Sequence, residues 1–147
     1  MSETKFDPLK LENQLCFPLY AASKEVIRRY KPFLDPLDLT YTQYITLMVL
    51  WDEKKMSVKE LGERLYLDSG TMTPVLKKLE SKHYIKRSRA PQDERSVIIT
   101  LTEEGMALKE KASNVPTSMR GCISLSKEES VMLHGLLSKI LNTLVEE

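Results

Sequence analysis

The sequence predicts a mainly α-helical fold with a small β-wing in its middle. The stretch 57–101 has the order helix, turn, helix, strand, basic loop, strand, which is typical of a winged helix-turn-helix domain. The flanking segments 7–35 and 103–147 carry apolar residues at helical spacing, and we interpret them as N- and C-terminal dimerisation helices. The whole chain, 1–147, is long enough for one domain with a real core.

The first helix is expected to begin at Asp7-Pro8, an N-cap residue followed by proline, and to end before Pro32. Pro18 interrupts this pattern. Inside a helix it removes one backbone hydrogen bond, so a kink is expected beside Cys16.

A second helix is expected after Thr40, and a short strand at 56–58 should lead into the first motif helix. The side chains expected on the inner side of the second helix are Tyr44, Leu47, Met48 and Trp51. The buried stripe expected on the first motif helix is Val58, Leu61 and Leu65.

The second motif helix has two possible beginnings. Asp68 or Ser69 caps it, or Thr73 caps it with Pro74 at the first helical position. Both beginnings turn the same apolar side chains inward, namely Met72, Leu76 and Leu79.

The wing is predicted as a two-stranded ribbon over 85–89 and 96–101, joined by a polar loop that contains Pro91. A lone ribbon is marginally stable, so it should pack on the helices. Thr102 should then cap a long helix that Pro116 ends, and Ser126 should open the last helix with a capping box. The apolar stripe of that last helix is Leu133, Leu136, Leu137, Ile140, Leu141, Leu144 and Val145.

Positive charge is concentrated in the motif. The net charge of the chain is only +1, but seven Lys or Arg stand against three acids between Lys77 and Arg95. Only the first turns of a recognition helix reach the major groove, and an arginine on a wing can enter the minor groove. Asp93 would orient Arg95 or serve as a turn residue. The expected DNA-binding residues are Ser69, Thr71, Thr73, Pro74, Lys77, Lys78, Arg87, Arg89, Asp93 and Arg95.

One such motif neutralises few phosphates. A symmetric homodimer would place two motifs about 34–36 Å apart, on successive major grooves of a palindromic operator in double-stranded DNA. The apolar segments 6–19 and 133–145 are the natural interface for such a dimer.

Other classes of function have little support in the sequence. The two cysteines are far apart, with no CxxC or Cys/His pattern, so we expect no metal site and no cofactor. The polar N-terminus does not resemble a signal peptide, and no apolar run approaches the length of a membrane span. We therefore expect a cytoplasmic protein with no membrane partner.

Two groups of residues carry a family resemblance. The segments 67–74 (Leu-Asp-Ser-Gly-Thr-Met-Thr-Pro), 93–95 (Asp-Glu-Arg) and 101–105 (Leu-Thr-Glu-Glu-Gly) resemble the MarR family of dimeric winged-helix repressors. The segment 11–17 (Leu-Glu-Asn-Gln-Leu-Cys-Phe), with Tyr30 and 39–44 (Leu-Thr-Tyr-Thr-Gln-Tyr), is similar to the organic hydroperoxide resistance regulators within it. The resemblance covers nearly the whole chain.

The resemblance implies that Cys16 is the peroxide-sensing thiol, that Tyr30 and Tyr41 donate hydrogen bonds to it, and that organic hydroperoxide is the oxidant. Tyr20, one turn after Cys16, is a local donor. Tyr30 lies about 21 Å from Cys16 along the same helix, at about 1.5 Å per residue, so it could reach only the Cys16 of a second subunit. Glu12 opposes a thiolate at Cys16 unless it turns to solvent.

Three alternatives remain open from the sequence. The first concerns the thiol that reacts with oxidised Cys16. It is Cys122 of the other subunit, which would form a disulfide as in two-cysteine relatives, or it is a small thiol. A repressor of the same fold could instead release DNA when an aromatic ligand binds beside Tyr41, Tyr44 and Trp51. A thiol peroxidase is the third class, but no thioredoxin-like strand-helix pattern supports it, so we expect no enzyme.

Overall fold

The computed structural model describes residues 5–145 and shows a mainly helical chain with one three-stranded antiparallel sheet. The helices are α1 (Cys16–Leu34), α2 (Tyr41–Glu53), α3 (Val58–Leu65), α4 (Ser69–Ser81), α5 (Glu103–Lys111), α6 (Val115–Cys122) and α7 (Lys127–Val145). The strands are β1 (Lys55–Ser57), β2 (Ile85–Ala90) and β3 (Asp93–Leu101). Short 3-10 turns span Leu11–Asn13 and Asp35–Leu37.

The first helix begins later than predicted, at Cys16. Upstream, the Asp7 carboxylate accepts the backbone N–H of Leu9 at 2.9 Å, and the Asp7 carbonyl accepts the side-chain amide of Asn13 at 2.8 Å. The Gln14 amide donates to carbonyls of the same segment. Such bonds compete with the helical ladder. The predicted beginning at residues 7–8 is therefore wrong, and the segment forms only a short 3-10 turn.

The two prolines of α1 are also placed differently from the prediction. Because α1 begins at Cys16, Pro18 lies in its first turn, where the N–H has no partner within the helix. Pro18 is therefore no mid-helix break. Pro32 lies inside α1, which continues to Leu34 although Pro32 cannot donate a backbone bond. Leu34 is buried and Phe33 packs on the core, which offsets that loss.

Thr40 caps α2 through a capping box with Gln43, and the buried side chains of α2 form the centre of the core. Tyr44, Leu47 and Trp51 are buried as predicted, but Met48 is 44% exposed because its neighbours in the chain take the inner side. The side chains that α2 packs with include Leu61, Met72, Leu76, Leu79, Ile85, Ile99 and Leu108.

The helix-turn-helix is formed by α3 and α4. The Asp68 carboxylate accepts the N–H of Thr71 at 2.7 Å and caps α4, so the first of the two predicted beginnings is correct, and Pro74 lies inside the helix. Met72, Leu76 and Leu79 are buried as predicted. The turn itself requires Gly62, because a Cβ there would lie 2.7 Å from the Leu67 carbonyl oxygen.

The sheet has the order β1-β3-β2, so the predicted two-stranded ribbon gains a third strand. The predicted loop is shorter than expected. Ala90 pairs with Asp93 after a register shift, so Asp93 and Arg95 belong to β3 and only residues 91–92 form the turn. The Asp93 carboxylate stabilises this tight connection by accepting the N–H of Arg95 at 3.0 Å.

At the C-terminal side, Thr102 caps α5 and Ser126 forms a capping box with Glu129, as predicted. Pro116 does not end α5, which stops at Lys111; it lies in the first turn of α6. Residues up to Val115 form one compact unit and those from Pro116 form a second, and the assignment of 103–147 to dimerisation stays a prediction. Within residues 5–145, no helix is long and apolar enough to cross a membrane.

Candidate DNA-binding surface and redox site

The outer face of α4 presents the residues of that helix that are predicted to contact DNA. The exposed members of this set are Ser69, Thr71, Thr73, Pro74, Lys77 and Lys78. At its beginning, the bond from the Thr71 N–H holds the pKa of the Asp68 carboxyl below its usual range. The beginning of α4 therefore carries a negative charge at Asp68. We expect the hydroxyls and lysines that follow Asp68 to make the contacts with phosphate.

The wing carries the second group of predicted DNA-binding residues. Arg89, Asp93 and Arg95 are exposed on β2 and β3. Both oxygens of Asp93 bind within the strand, one to the Arg95 N–H and the other to the Ser96 hydroxyl at 3.4 Å. Asp93 was predicted either to orient the Arg95 side chain or to serve as a turn residue, and these bonds correspond to the turn role. They fix the backbone that presents the Arg95 side chain.

Arg87 of the wing is bound to the recognition helix. Its Nε and Nη2 donate to the two carboxylate oxygens of Glu80 at 3.0 and 3.1 Å, in a bidentate pair that joins β2 to α4. The pair lowers the pKa of Glu80 and raises that of Arg87. A sequence pattern could not distinguish this paired arginine from a cation that is available to DNA. The pair is one contact between the wing and the recognition helix.

Cys16 and Cys122 are both exposed and free of disulfide bonds. Cys16 is the first residue of α1, and Cys122 is the last residue of α6. The side chains beside Cys16 are apolar and exposed, with Leu15 82% and Phe17 41% exposed. Tyr20, the predicted local donor, is 64% exposed. The surroundings of Cys16 within residues 5–145 are thus those of an open apolar surface.

The predicted tyrosines Tyr30 and Tyr41 do meet, and Tyr44 joins them. The ring centroids of Tyr30 and Tyr41 are 4.8 Å apart, and Tyr44 lies 5.8 Å from Tyr30 and 6.4 Å from Tyr41. Burial raises the pKa of all three phenols, and the neighbouring tyrosines add to the effect at Tyr30 and Tyr44. The hydroxyls of this tyrosine cluster therefore stay protonated and can donate hydrogen bonds at any physiological pH.

A groove of about 300 Å³ runs along the tyrosine cluster between α1 and α2. Its lining includes Ile27, Tyr30, Lys31, Leu39 and Tyr41. Two of the three aromatic residues expected to hold a ligand do not line it. Tyr44 and Trp51 are buried in the core, where the Trp51 N–H donates to the Gly105 carbonyl at 2.8 Å.

Both terminal segments expose long apolar faces. On the N-terminal side the exposed apolar residues include Phe6, Leu9, Leu11, Leu15, Phe17 and Leu19. On α7 they include Val131, Met132, Leu133, Leu136, Ile140, Leu141, Leu144 and Val145. Leu137 of the predicted stripe is only half-exposed. Many exposed apolar side chains in one segment are typical of a protein interface.

Solved structures resemble this fold closely. The structure of reduced AbfR bound to DNA, a protein of Staphylococcus epidermidis, has a TM-score of 0.77 and 35% identity, covering 92% of this chain and 95% of that one. A disulfide-formed AbfR has a TM-score of 0.66 with 34% identity over 92% and 93%. A cysteine-to-serine variant of MarR from E. coli, complexed with operator DNA, has a TM-score of 0.75 and 27% identity over 86% and 93%.

Sequence comparisons narrow the relationship. A family model described as "Transcriptional regulator SarA/Rot" matches residues 28–112. The organic hydroperoxide resistance transcriptional regulator of Bacillus subtilis (strain 168) is 51% identical over 142 residues, which cover 97% of each chain. This chain belongs to the MarR family of winged-helix transcriptional regulators. Within the MarR family it falls in the group of organic hydroperoxide resistance regulators, as predicted, and it is a regulator rather than an enzyme.

Proposed function

We propose that this MarR-family chain is a homodimeric DNA-binding repressor that releases a palindromic operator when an organic hydroperoxide oxidises Cys16. The observation that carries the proposal is the state of Cys16, a free and exposed thiol at the first residue of α1, flanked by exposed apolar side chains. An apolar surrounding favours the organic part of a hydroperoxide over hydrogen peroxide.

The chemistry requires only the hydroperoxide and two thiols. The Cys16 thiolate attacks the terminal peroxide oxygen, the O–O bond breaks, and the alkoxide leaves and takes a proton as the alcohol. Cys16 becomes a sulfenic acid, so the sulfur is oxidised by two electrons and the hydroperoxide is reduced. A second thiol then displaces the hydroxyl as water and forms a disulfide.

The tyrosine cluster supports this step from a neighbouring subunit. Cys16 and Tyr30 lie at opposite ends of the same continuous helix, about 21 Å apart at about 1.5 Å per residue. Tyr30 and Tyr41 can therefore donate hydrogen bonds only to the Cys16 of the other copy. Antiparallel pairing of two α1 helices would bring them together and cover exposed apolar side chains of α1 such as Phe17, Leu19 and Ile27.

Cys122 is the proposed resolving thiol. It is exposed and free, and AbfR has been solved in a disulfide-formed state. A disulfide requires Cα atoms within about 4.4–6.8 Å, so closing the bond would fix the position of α6 relative to the partner's α1. A change in the spacing of the two recognition helices needs only about 1–3 kcal/mol of coupling to lower operator affinity 5–150-fold.

Mass spectrometry after treatment with cumene hydroperoxide tests the thiol chemistry. In the wild type we expect a dimer on non-reducing electrophoresis, linked between Cys16 and Cys122. In Cys122→Ser we expect no cross-link and a gain of one oxygen on Cys16. A wild type that stays monomeric on the non-reducing gel would remove Cys122 from the mechanism. An unmodified Cys16 would overturn the assignment of the sensor.

A second candidate function rests on the groove along the tyrosine cluster. Its volume of about 300 Å³ and its lining by Tyr30, Tyr41 and Leu39 suit a small aromatic ligand. Release of operator by salicylate in a protein whose cysteines are both replaced by serine would favour this ligand-gated function.

A further inference from the structure

We propose that Lys82 is a positioning residue that couples the tyrosine cluster to the recognition helix α4. Lys82 is the C-cap residue of α4 and lies far along the chain from α1 and α2. Its ammonium group nevertheless binds the junction that joins those two helices. The inference rests on the proposed function, since it concerns how oxidation at the dimer interface reaches the DNA-binding face.

The Lys82 side chain contacts three acceptors, which lie in that junction and in the first turn of α2. Its Nζ donates to the backbone carbonyl of Asp38 and to the Oε1 atom of Gln43 at 3.1 Å, and it lies 3.5 Å from the Asp38 carboxylate. An ammonium group has three protons, so these contacts can use all of its donors. The Lys82 side chain is only 23% exposed, whereas the Asp38 side chain is 91% exposed. The carbonyl and amide bonds therefore fix the lysine, and the exposed ion pair adds little.

Both acceptor residues are rigidly placed. Asp38 ends the 3-10 turn Asp35–Leu37 in the left-handed region, with φ 54° and ψ 47°. Gln43 is buried, and its Oε1 also accepts the N–H of Thr40 at 3.2 Å in the capping box of α2. The amide oxygen is thus shared between the beginning of α2 and the end of α4. A movement of the α1–α2 junction changes the acceptor positions that hold α4.

Two residues of the tyrosine cluster also lie on either side of this junction. Tyr30 lies near the end of α1, and Tyr41 is the first residue of α2. The residues between them form the connection that contains Asp38, to which Lys82 binds. A change in the 4.8 Å separation of the two rings would displace this connection. Because α4 is a single helix from Ser69 to Ser81, a shift at its end reorients its DNA-binding beginning as a rigid body.

Lys82 thus differs from the other lysines of the basic stretch. Lys77 and Lys78 are exposed on the outer face of α4, whereas Lys82 is committed to the protein. If Lys82 only stabilised the fold, its loss would lower the melting temperature and leave the response to oxidation unchanged. If it couples the two regions, its loss would reduce the ratio between the operator Kd of the oxidised and of the reduced protein.

The test measures that ratio for full-length wild type, Lys82→Met and Lys82→Arg, with the extent of Cys16 oxidation followed in parallel. Lys31→Met is the matched control, because Lys31 binds Asp35 in the same junction but does not contact α4 in the described structure. We expect the ratio to fall at least threefold in Lys82→Met, with Cys16 oxidised as fast as in the wild type. Lys31→Met and Lys82→Arg should keep the ratio of the wild type.

An unchanged ratio in a folded Lys82→Met protein would overturn the role of Lys82 while leaving the proposed function intact. A wild type that keeps its operator affinity after Cys16 is oxidised would instead overturn the proposed function, and the coupling role with it. If Lys82→Met does not fold, Lys82→Gln replaces it. Glutamine keeps a polar end but lacks the positive charge and the length of lysine. The ratio of the operator Kd values of the oxidised and reduced protein is again the measurement.

Discussion

The rings of Tyr30 and Tyr41, with centroids 4.8 Å apart, join the end of α1 to the beginning of α2. Tyr44 completes this cluster and continues it to Trp51 in the core, with ring centroids 6.4 Å apart. In this cluster Tyr44 is buried in the core, whereas Tyr30 and Tyr41 lie along an open groove. Tyr30 and Tyr41 line that groove, and we propose that their phenols act on a group that arrives from outside the chain.

Replacing the phenols of Tyr30 and Tyr41 by phenylalanine should slow the oxidation of Cys16 by organic hydroperoxide. The rings and their packing stay, while the hydrogen-bond donors are lost. We expect at least a tenfold lower rate in the double variant, and an operator affinity of the reduced protein within twofold of the wild type. Stopped-flow measurement of thiol loss checks this, with Tyr66→Phe as the control. An unchanged rate would contradict a role of these phenols in the sensor.

Alkaline pH should destabilise the protein through the same cluster. Folding raises the pKa of Tyr30, Tyr41 and Tyr44 above their ordinary value of about 10. The folded state thus holds these protons more tightly than the unfolded state. The stability that they contribute is fully present below about pH 10 and is lost as the pH rises through the folded pKa values.

Urea unfolding between pH 8 and pH 11 measures this loss, with the pH range set by the ordinary tyrosine pKa of about 10. In the variant with phenylalanine at all three positions, the midpoint should fall less steeply with pH than in the wild type. Lysines also titrate in this range, but they are common to both proteins and cancel in the comparison. Equal slopes in the two proteins would contradict the assigned shifts.

The two wing arginines Arg87 and Arg95 should differ in their effect on operator binding. Arg95→Ala removes a cation that we assign to DNA, so the slope of log Kd against log salt should fall by about 1. Arg87 is already neutralised by Glu80, and Arg87→Ala should weaken binding with little change in that slope. Lys24→Ala, on the exposed side of α1, is the control. The same fall in slope for Arg87→Ala would show that Arg87 leaves Glu80 to bind phosphate.

The buried bond from the Trp51 N–H to the Gly105 carbonyl should contribute to the stability of the fold. Trp51→Phe keeps the aromatic ring but leaves that buried carbonyl without its donor, at a cost of about 1–3 kcal/mol. Gly105→Ala should be at least as destabilising, because a Cβ there would lie 2.3 Å from the Tyr84 carbonyl oxygen. Urea unfolding measures both changes. Met48→Ala, at an exposed position, should stay within about 0.5 kcal/mol of the wild type.

Local chemistry made much of this fold predictable. The caps at Asp68, Thr102 and Ser126 act on residues within one turn, so a sequence reader can find them. The same reasoning predicted the wrong beginning for α1. The signal at residues 7–8 resembles a helix start, but the side chains of Asn13 and Gln14 bind back to the segment and favour an irregular backbone.

The parts of the site that the sequence did not reveal depend on tertiary contacts. Arg87 and Lys82 carry the same charge as the residues assigned to DNA, and only the fold shows that Glu80, Asp38 and Gln43 bind them. The likeness to a known family identified Tyr30 and Tyr41, whereas the inclusion of Tyr44 in the cluster follows from the packing of α1 on α2.

Oxidation of Cys16 should release the operator, and the operator Kd with and without cumene hydroperoxide tests this most directly. The wild type should lose 5–150-fold in affinity, about 1–3 kcal/mol, and regain it on treatment with a reductant. Cys16→Ser should bind equally well under both conditions. Release of DNA by the Cys16→Ser protein after hydroperoxide treatment would contradict the account, because oxidation would then act through another residue.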